Sequence, residues 1–264
     1  MTNVAAPVDA ATVMVVRHGV PVGESWQVYM VRRPVRSDFA ADVFVFPGGK
    51  VDGSDRDPAL SDWVDGHPDQ ENAPDGRDEW RALRIAAVRE LFEEAGVLMA
   101  HRPDEPVVRL VGADAERFDK YRRRLRAGDL TMLELAREEN LRFALDRLKP
   151  FSRWITPETF PRRFDTRFFI ALMPEHQTPI HDAEEATASV WIAPGDAVRR
   201  FRHRDFPLVF ATERHLEQLA GFPSIEAVMA AEAEANLQPV MPKVVNRDGR
   251  EEFLIPGDPG YDQV

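Results

Sequence analysis

Cysteine is absent from all 264 residues, which excludes disulfides, thiolate metal sites and cysteine nucleophiles together. No apolar run approaches the roughly 20 residues of a membrane span, so no membrane partner is expected. Basic residues are in deficit: 34 Lys and Arg face 45 Asp and Glu, a formal net charge of −11. That balance argues against non-specific binding to nucleic acid or to an anionic membrane. An anionic ligand would have to be received by particular arginines or by a bound cation. No G-x-S-x-G turn is present, and the 7 histidines are scattered, so nothing supports Ser-His-Asp chemistry. The leading MTNVAAPVDA lacks the charged and apolar regions of a secretory leader, and the closing GYDQV is not a peroxisomal address. The cytoplasm is the expected compartment.

Apolar surface is ample. A hydrophobic content of 44%, with 16 Phe and 5 Trp, suits one folded domain with additions. The runs ATVMVVR (11–17) and WQVYMVRR (26–33) read as strands joined by a turn at 19–23, and 43–46 as a short strand. The span 56–79 is polar, acidic and broken by Pro and Gly. A surface excursion is the expected reading, a lid over the site its rival. Pro106 to Val111 reads as extended, and 115–126 and 132–148 as helices, with a Thr131 cap and Glu134 three residues on. Phe164 to Leu172 is the strongest later strand, 207–220 and 224–236 read as helices, and 242–261 as a hairpin around Arg247-Asp248-Gly249.

Chemistry concentrates in AAVRELFEEAGV, residues 86–97. As a helix it places Glu90 and Glu94 on one face with Glu93 beside them, while Leu83, Ala87, Leu91 and Ala95 form an apolar stripe and Gly96 a stop. Each like-charge pair costs about 0.2–0.5 kcal/mol on a helix surface, and Arg89 before Glu93 is the weaker order for an ion pair. Carboxylates gathered at such a cost suit a hard divalent cation; a solvated acidic face is the plainer alternative.

Upstream, FPGGKVD (46–52) runs a strand end into a Gly-Gly turn. Together these segments resemble the Nudix hydrolase box, G-x5-E-x7-R-E-U-x-E-E-x-G-U, where U is a bulky aliphatic residue. Arg89 to Val97 match its second half throughout, and Gly49 its first, with Asp55 where Glu is usual. The spacer departs, since residues 56 to 88 stand where the family has seven. FPGGKVDGSD, the long spacer, RELFEEAGV and ITPETFPRRFDTRFFIA together look like the peroxisomal coenzyme A diphosphatase-like branch and its bacterial relatives. The coenzyme A signature of other branches is not met, because Asp42 stands where a Gly belongs.

The resemblance implies an α/β/α sandwich with a mixed sheet, here one domain over 1–264 with insertions at about 56–79 and 115–148 and a C-terminal extension, 237–264. It implies Mg2+- or Mn2+-dependent hydrolysis of a nucleoside diphosphate linked to another moiety. Glu90, Glu93, Glu94 and a Gly48 or Gly49 carbonyl would hold the metal, and Arg89 would orient a box glutamate. The general base would be Glu90 or a loop carboxylate, for which Glu185 is placed. Arg32, Arg33, Arg36 and Arg162 are the candidates for substrate phosphate. Coenzyme A or an acyl-CoA is the leading substrate, ADP-ribose or a nucleotide sugar the alternative, and a non-catalytic Nudix-fold binding module the rival of another class. The partner is thus a small nucleotide, and a homodimer stays open.

Overall fold

The run VDAATVMVVR, Val8–Arg17, is β1, at the centre of the main sheet. β-Branched residues suit a strand packed on both faces, and successive side chains go to opposite sides. Ala11, Val13 and Val15 join one core, Met14 and Val16 the other. The computed structural model describes residues 4–19, 25–33, 42–66, 76–180, 188–231, 237–247 and 249–263.

β1 pairs antiparallel with β2 (Gln27–Arg32), the expected hairpin, and parallel with β9 (Phe164–Leu172), the expected late strand. β10 (Ala188–Ile192) lies beyond β2; β8 (Lys149–Ile155) and β11 (Pro239–Val240) lie beyond β9. β3 (Phe44–Val45) pairs with β2, and β4 (Gly48–Lys50) with β1. Parallel and antiparallel neighbours make this a mixed sheet, as expected.

One face carries α1 (Arg77–Ala95), longer than the expected 86–97. Leu83, Ala87, Leu91 and Ala95 are fully buried, but so is most of the remaining circumference. The helix is wedged between the sheet and an outer layer, where Phe118 meets Phe92 edge-on at 6.4 Å. That layer contains α2 (Ala113–Arg126), α3 (Met132–Glu139) and a small sheet of β5 (Val64–Asp65), β6 (Ala100–His101) and β7 (Arg142–Ala144). The opposite face carries α4 (Pro194–Arg202), α5 (Phe210–Ala220) and α6 (Ile225–Ala230) over a second core. The layers are therefore α/β/α. A hairpin of β12 (Lys243–Arg247) and β13 (Arg250–Leu254) forms where the tail predicted one.

Several element readings are corrected. The span 132–148 is not one helix: Asn140 turns left-handed at φ 51°, and the chain re-emerges as β7. Leu141, Leu145 and Leu148 carry helical spacing but fill the core from the entry to β7, from a 3-10 turn and from the residue after that turn. Pro106 to Val111 makes no strand; Val108 is tied instead to Ala100 and Gln177. The helix expected at 207–220 begins at Phe210; that expected at 224–236 is α6, and 232–236 lie outside the described residues. α4 had no sequence expectation.

The span 56–65 is built into the molecule. Leu60 and Val64 lie in the α1-side core, and Arg56 joins Asp9 and Glu79 at 3.0 and 2.7 Å. No helix among the described residues is long and apolar enough to cross a membrane.

Candidate active site

Strand β4 brings Gly48 and Gly49 beside β1, opposite Thr12 and Ala11. A Cβ on Gly48 would strike the Ala11 carbonyl and Thr12; one on Gly49 would overlap the Glu90 carboxylate. Only glycine allows the backbone so near these groups. The Gly48 N–H donates to Glu94 Oε2 at 3.0 Å.

Arg89 joins the two halves of the motif. Its Nε and Nη2 donate to Asp55 at 3.0 and 2.9 Å, its Nη2 to the Lys50 carbonyl at 2.8 Å, and its Nη1 to Glu90 at 2.9 Å and Glu93 at 3.4 Å. Asp55 is fully buried and also accepts from the Asp52 N–H at 2.8 Å. The long spacer therefore closes on itself, and the shorter Asp side chain still reaches the guanidinium. A planar fork serves such a cluster better than an ammonium could.

The carboxylates outnumber this cation. Burial, the largest influence, pushes the Glu90 carboxyl up to about 7; Arg89 pulls it down, and the charges of Glu93 and Asp55 push it up again. Burial opposes the charge on Arg89, but the Asp55 hydrogen bonds and the charges of Glu90 and Glu93 outweigh it and raise its pKa.

Among the described residues no three acidic or imidazole groups converge on one point; Glu90 and Glu93 turn to Arg89, Glu94 to Gly48. The donor set nonetheless fits a hard divalent cation. It is all oxygen, it lies on one helix face over a Gly-Gly backbone, and burial, reinforced by the charges of Glu93 and Asp55, already raises one carboxyl toward protonation.

Two of the arginines singled out by sequence, Arg32 and Arg162, lie away from this cluster. Arg32 follows Val28 and Met30 onto the opposite face, donates to Asp42 at 3.0 Å and lies 5.6 Å from the Phe44 ring centre. Strand alternation, carried one residue further, puts Arg33 on the α1 face. Arg162 is exposed just before Phe164, which registers with Val8. At about 3.3 Å per residue it lies roughly 20 Å along the sheet from Thr12. Arg36 and Glu185 lie outside the described residues.

Sequence reasoning missed a pocket of about 300 Å³ on the α1 face, lined by Arg17, Tyr29, Gln177, Ser189 and Trp191 among others. Its residues come from β1, β2, β10 and the segment after β9, so only strand register unites them. Gln177 is buried and stitches the exit of α1, accepting from the Leu98 N–H and donating to the Leu98 and Val108 carbonyls.

The chain matches the profile described as the NUDT19 Nudix domain over residues 69–212. It is 24% identical over 274 residues to acyl-coenzyme A diphosphatase NUDT19 of Xenopus laevis, covering 89% of this chain and 71% of that protein. To the human protein of the same description it is 25% identical, covering 91% and 74%. A solved NUDIX hydrolase from Alicyclobacillus acidocaldarius superposes with a TM-score of 0.74 at 27% identity, covering 90% of this chain and all of that one.

Proposed function

This chain belongs to the NUDT19 Nudix domain family, and from that premise we propose that it hydrolyses the diphosphate of coenzyme A or an acyl-coenzyme A. It is a pyrophosphohydrolase. The relatives described as acyl-coenzyme A diphosphatases support the substrate class, and the Arg89–Asp55 clasp beneath Glu90, Glu93 and Glu94 carries the reading. In the reaction a water oxygen attacks one phosphorus, the bridging P–O bond breaks, and two phosphomonoesters leave.

We assign Glu90, Glu93 and Glu94, with a Gly48 or Gly49 carbonyl, to hold Mg2+ or Mn2+. Such ions neutralise phosphate oxygens and acidify a bound water. Arg89 fixes the Glu90 and Glu93 side chains before substrate arrives, so they need little reorganisation during reaction. Gly48 and Gly49 let the backbone of the turn pack directly against Thr12 and the Glu90 carboxylate. Arg33, on the α1 face, stays a candidate for substrate phosphate. A carboxylate must take the proton of the attacking water, and Glu90 and Glu185 are the candidates. If Glu185 is the base, Glu185→Gln lowers kcat while leaving cation affinity unchanged; an unchanged kcat assigns the role to Glu90.

The substrate is tested by a hydrolysis screen across coenzyme A, acyl-CoA, ADP-ribose, NADH and diadenosine polyphosphates, with products identified by mass. The highest kcat/KM is expected for a coenzyme A form. Faster cleavage of ADP-ribose would replace that reading with a nucleotide-sugar pyrophosphatase.

A further inference from the structure

The pocket on the α1 face of the sheet contains a cation of unusual standing. Arg17 donates through Nε and Nη2 to Gln27 Oε1, at 3.0 and 2.8 Å, and lies 4.2 Å over the Trp191 indole. No carboxylate pairs with it among the described residues. In this acidic chain Arg56, Arg89, Arg122, Arg142 and Arg153 all pair with Asp or Glu. A neutral amide and an aromatic face fix the Arg17 guanidinium without cancelling its charge. Among the described residues, none that lines the pocket is acidic.

The pocket opens on the same sheet face as α1, and Tyr29, which lines it, belongs to the core packed against that helix. Tyr29 is buried, its ring centre is 5.2 Å from that of Trp191, and its hydroxyl makes no well-formed hydrogen bond, Ser189 being its nearest side-chain partner. The same phenol feels the charges of Glu94 and Arg122. Arg17 and Tyr29 thus both contact the Trp191 ring. Arg17 covers one face of the indole and Tyr29 tilts against the ring, so a nucleobase would have to displace one of them to stack. An anion finds donors already placed: the guanidinium, the Tyr29 hydroxyl and the Thr178 and Ser189 hydroxyls.

We propose that Arg17, fixed by Gln27 and Trp191, is a specificity-determining residue that receives a phosphomonoester of the substrate outside the diphosphate that is cleaved. This rests on the coenzyme A reading, in which that group is the ribose 3′-phosphate. A guanidinium can grip it through paired N–H donors.

The test compares kcat/KM for coenzyme A and dephospho-coenzyme A in the wild type, Arg17→Gln and Arg17→Lys, with thermal unfolding of each. The wild type is expected to favour coenzyme A by about 10-fold or more, a difference of about 1.4 kcal/mol. Arg17→Gln brings the ratio near one through KM, and Arg17→Lys restores part of it. Without added metal, calorimetry should show adenosine 3′,5′-bisphosphate binding more tightly than AMP to the wild type but not to Arg17→Gln. Should Arg17→Gln not fold, Arg17→Lys and the wild-type binding pair still decide. An equal fall for both coenzyme A forms, an unchanged ratio, or no wild-type preference would overturn the role of Arg17. Cleavage of neither form by the wild type would instead overturn the coenzyme A reading itself.

Discussion

Arg89 and Asp55 are far apart in sequence, yet the guanidinium is almost wholly enclosed by Asp55, Lys50, Glu90 and Glu93. Removing one partner of a buried pair leaves an uncompensated charge and costs about 3–5 kcal/mol. Asp55→Ala should lower the urea midpoint accordingly and also slow turnover, because Arg89 would no longer fix Glu90. Normal stability in that variant would show the clasp to be incidental. A second buried group works with the opposite sign. His215 donates from Nδ1 to the Ala211 carbonyl and accepts at Nε2 from the Ser152 hydroxyl, 2.6 Å in each case, while stacked on Phe168 at 4.0 Å. Burial lowers its pKa from 6.5 to about 4. Between those values the unfolded chain binds the extra proton, so the His215 contribution is full above 6.5 and fades as pH falls toward 4. The shift corresponds to about 3 kcal/mol. Denaturant melts at pH 7 and pH 4.5 should show that loss in the wild type and much less of it in His215→Gln.

Among the elements, α1 was the most legible, because its motif, its stop at Gly96 and its carboxylates all lie within one local stretch. Its burial on most sides was not, since the second layer over it comes from distant segments. The pocket arginine was illegible for the same reason. Arg17 and Arg32 both end strands, and only the register decides which faces α1 and which pairs with Asp42. The segment after Asp55 was expected as a surface excursion, but its first part places Leu60 in the core at 0% exposure. Leu60→Ala should therefore cost about 2–5 kcal/mol while leaving KM for coenzyme A near the wild-type value. A large KM change with unchanged stability would favour the lid.

At the scale of the molecule, a chain of net charge −11 is proposed to bind a polyanion, which requires that its negative face be converted locally. The carboxylates of α1 achieve this only with a cation. In the cation-free protein the Glu90 carboxyl, raised from 4.5 to about 7, favours the folded state fully below 4.5, and that advantage is lost as pH rises through 7. Magnesium chloride at pH 7.5 should accordingly raise Tm more than sodium chloride of equal ionic strength, and less so in Glu94→Gln. Equal shifts from the two salts would argue against the cation site. The most direct test of the central claim is the turnover of coenzyme A by Glu94→Gln at saturating Mg2+, with folding checked by circular dichroism. The account predicts a folded protein whose kcat falls by at least ~100-fold, because a ligand of the activating ion is gone; near-wild-type turnover would contradict it.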